Sequence, residues 1–351
     1  MVAGDRAIST VMDVSLALLI ISATVLLIGT YVHTETESID GERGDHAVQT
    51  LSGSTATITY NVSEPNEAGE RATDSDHYET PDNLDPDEVG ELYEITTYGS
   101  ATDLLAEAAQ TNVAIDDTGV FAYGYTVEQS VDGAIQGRLI GTDGRIYTVA
   151  TWEPYDGASI RGTATAGTEP PRAADVSSSS VEVSANPESL DAEHLATRFE
   201  VGEESSPGDT VDDGFDAIGQ EIADAIIEGY FPETQTQYAL ESSLSKNAVT
   251  LYNYRQLADV VGVDIDDYIT GSDANAAEAN QVLLEGETAD DAGLEDFVAD
   301  DLRNSSAGEE IRDAYDDLGD SPSNDEAEAF EALLDETVSA DTVDVTVQSW
   351  D

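Results

Sequence analysis

The longest apolar stretch of the chain lies near its N-terminus. Residues 14–32 carry no charge, and as a helix, with about 1.5 Å of rise per residue, they approach the thickness of a bilayer core. Polar residues flank this stretch on both sides. The pattern predicts a cytoplasmic leader at residues 1–10, a transmembrane helix at 11–33 and a polar stalk at 34–47.

Residues 48–185 contain several segments that alternate apolar and polar positions, which is typical of strands. The first predicted strand covers residues 55–62. A helical stretch is predicted at 86–112, with a break near Tyr98. Further strands are predicted at 120–127, 138–141, 145–152, 158–166 and 176–183, with a tight hairpin turn at Thr142-Asp143-Gly144.

Residues 186–351 change to a mainly helical periodicity. Apolar side chains recur every three or four residues from Phe215 to Tyr230, which predicts an amphipathic helix that stops at Pro232. Further helices are predicted at 235–261 with a break between 242 and 247, and at 274–284, 294–302, 307–318 and 325–336.

The chain closes on a strictly alternating segment in which Val343, Val345 and Val347 share one face. A strand after a helical region needs a partner, and the earlier sheet is the nearest one, so we expect the two regions to share one body. The predicted fold class is therefore α+β. An N-terminal transmembrane helix is followed by an antiparallel β-rich extracellular domain (48–185) and a mainly helical extracellular domain (186–351), which the C-terminal strand closes.

The charge of the chain is extreme, and it is spread along the whole length. The 351 residues include 75 Asp and Glu but only 12 Lys and Arg, which gives a net charge of -63. Lys246 is the only lysine. In molar salt the Debye length is about 3 Å, so repulsion between the carboxylates is screened. We therefore interpret the acidity as an adaptation of the organism's proteins to a salt-rich cell interior, and not as a ligand site. The absence of a basic patch argues against nucleic acid as a partner.

Catalytic and metal-binding motifs are missing from the sequence. Cysteine is absent, which excludes disulfides and thiolate ligands. There is no nucleophile elbow, P-loop or dinucleotide-binding glycine motif, and the acidic loops at 83–87 and 264–267 lack key calcium-loop positions. We therefore predict no catalytic residue, no metal, no cofactor and no enzymatic activity. Five aromatic residues are expected in the β core or its rim, with a glycan- or base-stacking platform as the alternative: Tyr123, Tyr125, Tyr147, Trp152 and Tyr155.

Three interpretations of the N-terminus stay open: a cleaved secretory signal, a plain uncleaved anchor and a pilin-like signal. The first fits worst, because no A-x-A site closes the apolar run. The segment from Arg6 through Ala7 and Ile8 to Val11 resembles the processing site of archaeal type IV pilins. The resemblance implies cleavage between Ala7 and Ile8, and a role for Asp13 in pairing with the free amine of a neighbouring subunit. A leader of only seven residues, Ala instead of Gly and the lack of a proline depart from that pattern.

Other motifs resemble an uncharacterised group of haloarchaeal membrane proteins with a pilin-like N-terminus. They are Trp152-Glu153-Pro154-Tyr155, Gly162, Gly167, Pro170-Pro171, Gly229-Tyr230-Phe231-Pro232 and the closing Val345-Thr346-Val347-Gln348-Ser349-Trp350. The resemblance implies an association with type IV pilus or Tad-like secretion machinery, through the N-terminal helix. It implies no catalytic activity.

Basic residues beside a membrane helix favour the cytoplasmic side, and Arg6 is the only basic residue before the apolar stretch. We therefore expect residues 1–10 in the cytoplasm and 34–351 outside the cell. Asn61 and Asn304 are candidate N-glycosylation sites. The expected function is a non-enzymatic, membrane-anchored, pilin-like or pseudopilin-like component of an archaeal cell-surface or secretion assembly. Its partners would be the lipid bilayer and other pilin-like or secretion-system membrane proteins. The alternative is a ligand-binding or enzymatic ectodomain on a simple uncleaved anchor.

Overall fold

The computed structural model describes residues 44–62, 93–115, 118–121, 123–138, 145–203, 211–242, 245–287, 292–318 and 323–350. The helices are α1 (44–53), α2 (Ala101–Thr111), α3 (Gly124–Arg138), α4 (Ala192–Glu203), α5 (Val211–Tyr230), α6 (Glu233–Glu241), α7 (Ser245–Val261), α8 (Asp266–Ile269), α9 (Ala276–Glu285), α10 (Leu294–Asn304), α11 (Ser306–Leu318) and α12 (Asn324–Thr337). The strands are β1 (Thr55–Asn61), β2 (Glu94–Ser100), β3 (Ala114–Ile115), β4 (Thr118–Gly119), β5 (Ile146–Trp152), β6 (Ile160–Gly167), β7 (Val176–Ser184) and β8 (Thr342–Trp350).

Two antiparallel sheets organise these strands. β1 and β2 form a two-stranded sheet, and the other strands form a six-stranded sheet in the order β4-β3-β6-β5-β8-β7. The last strand of the chain, β8, lies between β5 and β7 and pairs with both. Its apolar face (Val343, Val345 and Val347) is fully buried. The prediction that the terminal strand joins the earlier sheet is confirmed.

The helices that were predicted in the C-terminal region are present, and α4 and α8 are two further helices that the sequence analysis did not predict. In α5 the stripe from Phe215 to Ile226 is buried, and the helix ends just before Pro232 because proline cannot continue it. The predicted break between 242 and 247 separates α6 from α7. The four predicted helices from residue 274 onward match α9 to α12 within two residues at each end.

The N-terminal region departs from the sequence prediction in its secondary structure. The predicted strand at 120–127 is wrong, because α3 begins at Gly124. Of the predicted hairpin before β5, Arg138 belongs to α3, and residues 139–144, which include the predicted turn, lie outside the described residues. Within the predicted helix at 86–112, residues 94–100 form β2 instead. A capping box at Ser100, whose side chain accepts from the backbone N–H of Asp103, starts α2 only after that strand.

The predicted fold class needs a further correction at its N-terminal end. No helix among the described residues is both long enough and apolar enough to cross a membrane. The predicted leader, the predicted span at 11–33 and stalk residues 34–43 lie outside the described residues, and residues 44–47 belong to α1 rather than to a stalk. The described chain is an α+β fold in which the region predicted as β-rich also contains helices.

Helix α3 covers the free edge of β6. Strand β3 pairs with only two residues of β6. Beyond them, Glu128 accepts hydrogen bonds from the backbone N–H and the hydroxyl of Thr165 (2.7 and 2.8 Å), and Asp132 accepts from the N–H of Gly167 (2.8 Å). Carboxylates on successive turns of α3 therefore occupy edge amides that a neighbouring strand would otherwise bind.

The β5–β6 connection is held to α10 by one carboxylate. Asp301 accepts hydrogen bonds from the Tyr155 hydroxyl (2.8 Å), the Ser159 N–H (2.8 Å) and the Ser159 hydroxyl. Burial, and then the charge of Asp301, raises the pKa of Tyr155 above its usual range, so the phenol remains a donor. Trp152, also fully buried, donates its indole N–H to the carbonyl of Ala340 (2.8 Å) just before β8.

Candidate functional site

An open cleft of about 840 Å³ lies between β2, the end of α5, α6 and α7, and we call it the β2–α7 cleft. Each element contributes a short stretch of one wall. The lining residues are Val62, Tyr93, Glu94, Ile95, Tyr230, Pro232, Thr234, Gln235, Thr236, Tyr238, Ala239, Ser245, Lys246, Val249 and Thr250. The walls are mainly apolar and aromatic, as in sites that bind small organic ligands.

The cleft exposes apolar side chains that most of the fold keeps inside. Ile95 is 38% exposed and Tyr238 is 67% exposed, and both are large hydrophobic residues. Ile95 is exposed because β2 has β1 as its neighbour in a two-stranded sheet. Tyr238 stands on α6, a short helix whose buried residues include Thr236 and Leu240. Exposed apolar surface of this kind commonly marks a contact site.

Lys246 places a positive charge on the rim of the cleft. Its Nζ atom lies 5.7 Å from the centre of the Tyr238 ring, within the range of a cation–π interaction. Lys246 is the only lysine of the chain, and it is one of 12 basic residues against 75 acidic ones. Chemically, the cleft offers a ligand aromatic walls, the ammonium group of Lys246 and the carboxylate of Glu94.

The floor of the cleft is built by Tyr230, the last residue of α5. Its hydroxyl donates to the carbonyl of Gln110 (3.3 Å), and its ring meets Trp152 edge-on at 5.9 Å and Phe121 at 5.4 Å. Burial raises the pKa of both Tyr230 and Tyr93. Both phenols are therefore neutral at physiological pH, and they present hydroxyl groups rather than phenolates.

A second polar cluster lies under the β1–β2 sheet, outside the cleft. Burial raises the pKa of Glu107, while hydrogen bonds from Thr97 (3.4 Å) and Tyr60 partly oppose that rise. Burial likewise raises the pKa of Tyr123, whose oxygen accepts from the Asn253 side chain at 3.4 Å. These groups join α2, β2 and α7, and none of them lines the β2–α7 cleft, so we assign them a structural role.

The predicted processing and assembly residues Arg6, Ala7, Ile8 and Asp13 lie outside the described residues. Asn61 is the last residue of β1 and pairs with Glu94 in the register of that sheet.

Asn304, the other candidate glycosylation site, is exposed at the end of α10, where its side chain donates to the carbonyl of Asp300 (2.6 Å). The hydroxyl of Ser306 in the same sequon donates to the carbonyl of Asp156 (2.9 Å). Asn61 and Asn304 therefore lie at the ends of different elements, and neither asparagine lines the β2–α7 cleft, although Val62 of the first sequon does.

The five aromatic residues that the sequence singles out are distributed over β5, α3 and the loops beside them. Trp152 and Tyr155 are fully buried, and the other three are partly buried: Tyr123, Tyr125 and Tyr147. No group of three or more acidic or histidine side chains in the described part of the chain is arranged to hold a metal ion. In the acidic loop at 264–267, Asp266 pairs with Arg255 instead (2.7 Å).

The residues of the β2–α7 cleft were not predicted from the sequence. Tyr93, Ile95 and Tyr238 come from segments that have no shared motif and no common periodicity. One signal was available, because Lys246 is the only lysine in an acidic chain, but composition alone does not indicate which aromatic side chains surround it.

No curated protein and no solved structure matches this chain. A family of unknown function, DUF7284, matches residues 12–350, which covers nearly all of the sequence. The chain therefore belongs to the DUF7284 family.

Proposed function

We propose that this protein is a non-enzymatic, membrane-anchored, pilin-like or pseudopilin-like component of an archaeal cell-surface or secretion assembly. The observation that carries the proposal is the N-terminal sequence, in which Arg6-Ala7-Ile8 precedes an uncharged stretch at 14–32 with Asp13 at its head. A carboxylate beside so long an apolar stretch is costly in lipid unless it lies near an interface or has a partner. In an assembly, the free amine of a neighbouring subunit supplies that partner.

The described part of the chain supports a structural role through the use it makes of its carboxylates. Glu128 and Asp132 bind backbone amides of β6, and Asp301 binds the β5–β6 connection. These side chains stabilise the fold, and their hydrogen bonds leave them poorly placed for acid–base chemistry. Because the family match carries no activity, the pilin-like assignment rests on the N-terminal motif.

The mass of the native N-terminal peptide tests the proposal directly. We expect the mature chain, isolated from its own membranes, to begin at Ile8. An Arg6→Gln variant should remain unprocessed, and Arg43→Gln is the matched control that keeps the motif intact. A native chain that begins at Met1 or Val2 would overturn the processed, pilin-like class.

Cross-linking in intact cells tests the assembly itself. Photoreactive residues placed within 14–32 should capture oligomers, and Asp13→Asn should lower their yield. If only monomers are captured, a plain anchor becomes the better description of the N-terminus.

The β2–α7 cleft favours a second candidate function, a cell-envelope domain that binds an apolar, anionic ligand. Titration with an anionic aromatic dye, such as anilinonaphthalene sulfonate, should saturate with the wild-type chain. Lys246→Gln should weaken this binding by about tenfold, the loss of one charged contact, whereas Lys246→Arg should retain it. Equal binding by all three chains would contradict this candidate.

A further inference from the structure

The β2 wall of the β2–α7 cleft is held to helix α2 by one carboxylate. Ile95 of β2 lines the cleft and lies directly opposite Tyr60 of β1 in the register of the two-stranded sheet. The hydroxyl of Tyr60 donates to the carboxylate of Glu107 on α2. Thr97, two residues after Ile95 on the same face of β2, donates to that carboxylate as well (3.4 Å). Glu107 therefore binds both strands of the β1–β2 sheet.

The α7 wall of the cleft is joined to the same polar cluster. Val249 and Thr250 line the cleft, and Asn253 lies one turn further along the same face of α7. The side-chain amide of Asn253 donates to the hydroxyl of Tyr123 (3.4 Å). Burial is the main cause that raises the pKa of Tyr123, and the charge of Glu107 adds to that rise. One carboxylate thus acts on groups that reach two walls of the cleft.

The groups that surround Glu107 give its negative charge no positive partner. The titratable groups that face it in the described part of the chain are two phenols, Tyr60 from β1 and Tyr123 from the turn before α3. On α2 itself, Asp103 lies one turn earlier and accepts from the N–H of Ser100 instead. Burial accordingly raises the pKa of Glu107, and its hydrogen bonds oppose this rise only in part.

We propose that Glu107 is a pH-sensitive latch, which holds the β1–β2 sheet to α2 while it is protonated and releases that sheet, with the β2 wall of the cleft, when it ionises. A protonated carboxyl group satisfies two hydroxyl groups without a net charge, because it can donate to one and accept from the other. An ionised carboxylate in a half-buried site lacks the solvation that water provides. Opening the β1–β2 sheet gives it that water.

The latch should weaken as pH rises. In the open state Glu107 reaches water, so its pKa lies in the ordinary carboxyl range, below the raised pKa of the closed state. At a pH below that range the carboxyl is protonated in both states, and the latch has its full strength. Between the two pKa values only the open state loses the proton, so the opening constant increases by up to about tenfold per pH unit. Above the raised pKa it levels off.

Hydrogen exchange of the full chain in molar KCl tests this local opening. Protection factors, which correct each rate for the intrinsic effect of pH, are measured from about pH 4 to about pH 8. The amides of β1 and β2 should be less protected than those of β8, which lies between two strands, and their protection should fall with pH and then level off. Equal protection of both sets would mean that the β1–β2 sheet opens only when the chain unfolds, and would overturn the proposal.

Two amide variants separate the latch from other effects of charge. Glu107→Gln keeps a donor and an acceptor but cannot ionise, so the protection of β1 and β2 should stay at its low-pH level throughout. Glu94→Gln removes an exposed carboxylate from the same sheet and is the matched control, which should behave as the wild type. If Glu107→Gln keeps the wild-type dependence on pH, or Glu94→Gln loses it, the inference is wrong.

A distance across the cleft tests whether the β2 wall moves. The chain has no cysteine, so spin labels can be attached at Tyr98→Cys on β2 and Glu241→Cys at the end of α6, both of them exposed positions. Pulsed electron spin resonance should show longer and broader distances at high pH, and no change when Glu107→Gln is added. A distribution that is the same at every pH without Glu107→Gln would contradict the release of the wall. None of these results bears on the N-terminal mass that tests the proposed function.

Discussion

Single carboxylates hold much of this fold together at the scale of the residue. Asp301 is the clearest case, because one side chain accepts hydrogen bonds from the hydroxyl of a fully buried tyrosine and from both donors of Ser159, its N–H and its hydroxyl. An unpartnered buried donor costs free energy, so the fold depends on such a carboxylate more than on a typical surface acid. In a chain with 75 acidic residues, the hydrogen-bond partners of a carboxylate indicate its role better than its residue type does.

Replacing Asp301 should therefore destabilise the protein measurably. Asp301→Ala leaves the Ser159 N–H without its acceptor and the Tyr155 hydroxyl with only the longer contact to the carbonyl of Val298 (3.4 Å), and we expect the free energy of unfolding to fall by about 2–3 kcal/mol. Guanidinium chloride unfolding at constant salt measures the difference. Asp300→Ala, one residue earlier and exposed, is the control for loss of a charge on α10 together with a surface ion pair to Arg303, which should cost less than about 1 kcal/mol. Equal effects of the two substitutions would contradict the role assigned to Asp301.

Glu107 should make stability depend on pH. Burial raises its pKa in the folded chain, so the folded state holds the proton more tightly than the unfolded state. Stability is then lost as pH rises from the ordinary carboxyl range through the raised pKa. Glu107→Gln should remove this loss, and its advantage over the wild type in thermal unfolding should increase with pH. Tyr60→Phe, which deletes a hydrogen bond that lowers the pKa, should shift the dependence to higher pH.

Strand β8 is the critical element at the scale of secondary structure. It joins β5 to β7, and the indole of Trp152 is anchored at the carbonyl of Ala340 just before it. Without β8, two strands lose their neighbour and the buried valine face disappears. The last residues of the chain thus hold together strands that come much earlier in the sequence.

Deleting residues 342–351 should abolish cooperative folding. Trp152 and Trp350 are the only tryptophans, and the truncation removes the second, so the emission maximum of Trp152 reports on this layer alone. We expect that maximum to shift to the red, as in the unfolded chain. Val345→Ala is the graded control, with an expected loss of about 2 kcal/mol while folding persists. A truncated chain with blue-shifted emission and a sharp thermal transition would contradict the central position of β8.

At the scale of the whole molecule, the surplus of carboxylates determines how pH and salt concentration change stability. Burial is the main cause that raises the pKa of Glu107, Glu153, Asp216, Asp224 and Glu295. The opposite shift at the exposed Glu326 follows from its hydrogen bonds to Ser323 in the capping box of α12. Repulsion between the carboxylates of a chain of net charge -63 adds to the dependence of stability on pH that the buried carboxyls cause.

Mild acidification should therefore stabilise the protein. As the pH falls through the raised pKa values towards the ordinary carboxyl range, the folded chain takes up more protons than the unfolded chain, so the unfolding temperature should rise. In molar KCl the contribution of self-repulsion is screened, while that of the buried carboxyls is screened less, so the rise should become smaller but persist. Calorimetry at two salt concentrations measures both contributions. An unfolding temperature that falls steadily below neutral pH would contradict this prediction.

Helical periodicity is a local property, and the sequence was a reliable guide to it. In α5 and in the four helices from α9 to α12, apolar residues lie three and four positions apart, and one turn of helix brings such residues together. The same logic failed for α3, whose buried Val127, Val131 and Ile135 have a helical spacing. Of these three, only Val127 belonged to the predicted strand at 120–127, whose aromatic and β-branched residues are typical of strands.

The sequence by itself determined the acidity of the surface, the helical segments and the existence of a terminal strand, because each depends on composition or on residues close together in the chain. Only the tertiary structure decided that β8 lies between β5 and β7, that carboxylates of α3 bind edge amides of β6, and that Ile95 of β2 and Lys246 of α7 line one cleft. These features depend on groups that are distant in the sequence. A strand or a carboxylate specifies what it can bind, but the packing of the whole chain determines which partner it meets.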